Sequence, residues 1–106
     1  MSHDWAANVK KYAANANESA IGGIVKHLGI ALQSKDASFV ACTDKAERDR
    51  VRDGFLKKKL GLSLSDGDLD RGIVEICQKM HDERDKLRVT FYYLLAEKYD
   101  KLSMFA

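Results

Sequence analysis

Apolar side chains recur along this chain every three to four positions, and that spacing predicts helices joined by turns. Trp5, Val9 and Tyr12 share one helical face behind Asp4, a residue suited to capping. Asn17 opens a second helix with Ile21, Ile24, Val25 and Leu28 as its stripe, closed by Gly29. Gly22 and Gly23 inside it each cost about 1 kcal/mol relative to alanine, which predicts close approach of a neighbouring helix. Ser34 caps a short third helix, Lys35 to Cys42, with Phe39 and Val40 inward. Asp44 and Glu47 have capping-box spacing and open a helix to Leu60, where Gly61 stops it. Its stripe is narrow: Val51, Phe55, Leu56 and Leu60.

The best-patterned helix starts at Ser65 and carries Leu69, Ile73, Ile76, Cys77 and Met80 on one face. A last helix runs from Asp82 to Leu102, with Asp82, Glu83 and Asp85 early and Lys98 and Lys101 late, as the macrodipole favours. The stripe would have to pass through Glu83 and Arg84, and an unbroken helix from Ser65 to Leu102 would be about 57 Å long. A break near His81 and Asp82 is expected. No segment alternates as a strand does, so the predicted fold is all-α: a compact single-domain bundle of five or six helices over residues 1–106.

Composition narrows this picture. With 106 residues, 45% hydrophobic, 32% charged and no proline, the chain is long enough for one core and too poor in breakers for a loop-rich sandwich. The longest apolar run, Phe91 to Ala96, is far short of a membrane span. Met1 to Lys11 holds Asp4, Trp5 and two lysines where a secretory leader would be apolar, so a cytoplasmic protein is expected. There Cys42 and Cys77 are expected as separate, buried thiols.

The blocks GIVKHLGIAL, SKDASFVAC, RDGFLKKKLGL and RVTFYYLLAEKYDKL, which cover most of the chain, resemble a small bacterial family of unknown function. The resemblance implies an all-helical domain of this length and no activity, cofactor or partner.

Reactive groups have bland explanations beside the sharp ones. Asp66, Asp68 and Asp70 begin like a calcium loop, but the glycine and bidentate glutamate such a loop needs are replaced by Arg71 and Cys77. Cys77 and His81, four apart, could supply half a zinc site; only His27 and Cys42 remain to complete it, and Cys77 belongs to an apolar stripe. No metal or cofactor is expected. Helices 44–60 and 65–80 imitate a helix-turn-helix, yet three carboxylates would face the DNA, which weighs against nucleic acid.

Two surfaces remain. Residues 44–60 hold seven basic and four acidic groups, so Arg48, Arg52, Lys57, Lys58 and Lys59 form the candidate anion-binding set. Phe91 to Leu95 cannot all face a one-sided core, so Tyr92, Tyr93, Tyr99 and Phe105 form the candidate interface, covered either by the first helix or by a partner chain. The sequence therefore favours a protein-interaction module, itself able to dimerise, with anion or nucleic-acid binding through the basic helix 44–60 as the alternative. An enzyme would require His27, His81, Glu75 or a cysteine to converge.

Overall fold

The computed structural model describes residues 5–29, 32, 38–83 and 86–106. The expected caps Asp4 and Ser34, the start of the helix from Lys35, and Arg84 and Asp85 lie outside them. The fold is mainly α: five α-helices and a two-stranded ribbon among the described residues. In chain order they are α1 (Trp5–Tyr12), α2 (Glu18–Leu28), β1 (Phe39–Val40), α3 (Lys45–Arg50), α4 (Asp66–Lys79), β2 (Lys86–Leu87) and α5 (Arg88–Lys98). A π-helix, Val51–Lys59, continues α3, and a 3-10 turn, Leu102–Met104, follows α5.

Helix α5 is the axis of the fold. Its residues Val89 to Ala96 are all buried, because α1, α2, α4, the ribbon and the C-terminal turn pack around it. The consecutive aromatics therefore need no partner chain. Tyr93 accepts the Asn17 backbone N–H at 2.8 Å, and Tyr92 stacks on Phe55 with ring centroids 3.9 Å apart. Expected caps are in place: Asn17 Oδ1 accepts from Ala20 N, Asp44 from Ala46 N and Ser65 from Asp68 N.

Three expectations require correction. Phe39 and Val40 are not helical; they pair antiparallel with Lys86 and Leu87, in the register Phe39 to Leu87 and Val40 to Lys86. Two residues per strand are too few to show alternation, and the pairing is fixed from outside, by Arg88 N donating to Ser38 O and Arg88 Nη2 donating to Phe39 O. The last helix starts at Arg88, not Asp82, since Asp82 and Glu83 are drawn to α1. Tyr12 Oη donates to Asp82 Oδ1 at 2.8 Å and Glu83 Oε1 at 2.9 Å, Asn8 Nδ2 donates to Glu83, and Lys11 pairs with Asp82 at 2.7 Å. The chain does break after Met80, as expected.

The third correction concerns sulfur. Cys42, in the turn after β1, and Cys77, on α4, form a disulfide, with Cα atoms 6.0 Å apart and a sequence separation of 35. The apolar stripe of α4 thus carries a cross-link at Cys77 where an inert thiol was expected, because α4 lies against the β1–α3 turn.

Two stability predictions follow from these contacts. A cross-link closing a loop of this length contributes about 3–4 kcal/mol in the chain-entropy view. Cys42→Ser with Cys77→Ser, or reductant on the native chain, should therefore lower the melting temperature by more than about 10 °C in a calorimetric scan.

The Asp82 carboxyl is held down to about 2 by the hydrogen bond from Lys11 first and that from Tyr12 second. A depressed carboxylate pKa stabilises the fold fully above its ordinary value of 3.8, and the contribution is lost as pH falls from there towards 2. Denaturation midpoints followed across that window should fall less steeply for Asp82→Asn than for the native protein.

Candidate anion cleft

The apolar positions of the helix after α3 repeat at five: Val51 with Leu56, Phe55 with Leu60. A backbone bonded i to i+5, as in Leu60 N to Phe55 O at 2.9 Å, brings each such pair onto one face. Phe55 is thereby buried at the inner end of this face, while Lys59 emerges at the outer end. Helix α2 ends beside it, and the 3-10 turn brings Phe105 between the two. His27 lies 6.0 Å from the Phe105 ring centroid and 6.2 Å from that of Phe55, and Lys59 Nζ sits 5.5 Å over the Phe105 ring.

What permits this is Gly23. A Cβ there would stand 1.9 Å from the Phe105 carbonyl oxygen, so the chain's C-terminal turn rests directly on the α2 backbone. The close approach expected at the paired glycines is therefore made by a turn and only at Gly23; a Cβ on Gly22 meets nothing within 4 Å. Between the elements lies a cleft of about 300 Å³ lined by Gly23, Lys26, His27, Lys59, Met104 and Phe105. Met104 is 45% exposed. His27, on the open rim, titrates below its ordinary value, first through desolvation and then through the charge of Lys59.

The five basic residues singled out in the sequence are divided by the fold. Arg52 is enclosed by carboxylates: it pairs with Asp49 at 3.2 Å, Asp53 at 2.9 Å, Asp70 at 3.3 Å and Asp66 at 4.0 Å. Lys57 is held by Asp66 and by Asp53. Arg48 Nη1 donates to the Cys42 carbonyl at 2.6 Å. Lys58 is exposed, and Lys59 reaches the cleft. Neither Lys26 nor Lys59 has a carboxylate partner among the described residues. The basic segment is thus no continuous anion-binding face; one of its members, Lys59, joins Gly23, Lys26 and His27 of α2.

Of the candidate interface, Tyr92, Tyr93 and Phe105 are 8%, 1% and 7% exposed, covered by their own chain. Tyr99 is half-buried with its hydroxyl over Gly72, where a Cβ would come within 2.0 Å. The groups an enzyme would have needed are not gathered: His27 lines the cleft, Glu75 pairs with Lys98 across α4 and α5, and the cysteines are bonded to each other.

Sequence reasoning missed Lys26. Lys26 sits in the last turn of α2, where a cation is already explained by the helix dipole, and nothing in the sequence brings the C-terminal turn back to it.

Compared with known families, residues 4–103 match the one described as protein of unknown function DUF2853. The chain belongs to that family. A comparison with curated proteins found no match. No helix among the described residues is long and apolar enough to cross a membrane.

The contrast between the two glycines is testable in this DUF2853 chain. Gly23→Ala forces the turn off α2 and should cost about 1–3 kcal/mol, as overpacking does. Gly22→Ala should be neutral or stabilising by up to about 1 kcal/mol. Urea unfolding of the two variants compares them directly.

Proposed function

We propose that this protein is a binding module that takes a small anion in the cleft between the ends of α2 and the π-helix. The observation that carries the reading is the pair Lys26 and Lys59, two ammonium groups that have no carboxylate partner among the described residues and line one cavity of about 300 Å³. That volume is at the lower end of small-ligand sites, which favours a compact ligand over a polymer. The π-helix supports the choice of site, since such helices are rare and recur at functional positions.

The dimerising interaction module expected from the sequence drew on Tyr92, Tyr93, Tyr99 and Phe105, and those rings are now engaged within the chain. The alternative expectation, anion binding, is kept in a changed form: Lys59 remains, and Arg52 and Lys57 give way to Lys26. A cytoplasmic setting was the expectation with separate thiols; the Cys42–Cys77 bond supports instead a compartment that keeps cysteines oxidised.

Titration of the labelled chain with acetate and with inorganic phosphate, followed by amide NMR, tests the site. Shifts should cluster at Gly23, Lys26, His27 and Lys59 and weaken with added chloride. Lys26→Ala with Lys59→Ala should abolish them, whereas Lys58→Ala should leave them within twofold. Shifts that survive the double substitution, or that follow Lys58, would overturn the assignment.

A further inference from the structure

Resting on that reading, we infer that the ligand of the cleft is a small carboxylic acid anion with an apolar or aromatic body, seated by its carboxylate between Lys26 and Lys59 and by its body against Met104 and Phe105.

Charge comes first. The cleft lies at the C-terminal ends of two helices, each presenting about half a negative charge through unpaired carbonyls. Two ammonium groups set against two such ends leave only a small positive excess. A small excess favours a monoanion over a dianion.

The kind of donor points the same way. Phosphate sites are commonly built from helix N-termini or runs of backbone N–H groups, which spread several donors around many acceptor oxygens. Here Lys26 lies in the last turn of α2 and Lys59 ends the π-helix, so the nearby orphan backbone groups are carbonyls. They would repel a second and third anionic oxygen. A carboxylate, with two oxygens and a single charge, can take one ammonium on each.

The remaining wall is apolar. Met104 is among the three most exposed large hydrophobic side chains of the described residues, and it stands beside the Phe105 ring at the edge of the same cavity. A thioether adapts to the shape laid against it, and its contact with an aromatic body is favourable. An anion without such a body would leave this wall uncovered, so the body should add affinity beyond the head.

The experiment uses the full chain and four probes measured by isothermal titration: 3-phenylpropanoate, its neutral amide 3-phenylpropanamide, acetate and inorganic phosphate. The expected order is 3-phenylpropanoate at least about tenfold tighter than acetate or phosphate, with no detectable binding of the amide. Met104→Ser, at an exposed position that leaves the fold intact, should weaken 3-phenylpropanoate several-fold and leave acetate unchanged. Phosphate binding as tightly as 3-phenylpropanoate, or acetate doing so, would overturn this inference while leaving the anion site in place. Equal binding of acid and amide, or binding of none of the four, would overturn both.

Discussion

A helix that is apolar on every face is stable in water only where other elements enclose it, and α5 is such a helix: eight consecutive residues, Val89 to Ala96, are buried. The rest of the fold is arranged as its coat. Helices α2 and α4 supply regular stripes, while α1 is too short to hold itself and is pinned by polar contacts at its end. Its fixing groups, Asp82 and Glu83, come from the segment leading into α5, so the core helix is preceded by the residues that dock its first cover. The C-terminal turn closes the last side, with Phe105 stacked beside Phe55.

At the start of α5 the coat has a charged seam. The Arg88 guanidinium donates to Glu47, to the Phe39 carbonyl at 3.0 Å and to the Tyr92 hydroxyl at 3.1 Å, while Glu47 also accepts from Arg50. Glu47 is 6% exposed. Taken separately, each charge would be costly to bury; removing one partner of such a pair typically costs about 3–5 kcal/mol because the other is left unpaired. The seam fastens the β ribbon, α3 and α5 together, and it accounts for the ribbon that stands where a helix was expected. Glu47 has capping-box spacing, but its carboxylate is committed to Arg88 and Arg50. Phe39 and Val40 look like a helical pair, but Arg88 anchors their backbone to the approach of α5.

Local signals in the sequence were enough for the helices that open at Asn17, Asp44 and Ser65, for those three caps and for the break after Met80, because these depend on spacing and on residues within a few positions. Long-range pairings were not legible. The disulfide joins positions 35 residues apart, and the short ribbon joins residues whose pairing depends on Arg88. The all-round burial of α5 was half legible: consecutive aromatics announced a second contact surface, and only the folded chain says that its own helices provide it. The same limit hid the cleft. Lys57, Lys58 and Lys59 are equivalent in composition, and what separates them is the carboxylates of Asp53 and Asp66 on one and the Phe105 ring under another.

The cleft and the core share one part, the C-terminal turn. Phe105 contributes a buried ring to the interior and, with Met104, a wall to the cavity, and both depend on the bare backbone of Gly23. Under the reading proposed above, a ligand resting on Phe105 would favour the attached turn and stabilise it by an amount that grows with ligand concentration over its dissociation constant. The contact with the turn explains why the glycine is tolerated inside α2. Its helical cost of about 1 kcal/mol is offset by the close seating of the turn, which closes the open side of α5 and brings the apolar wall to the two lysines.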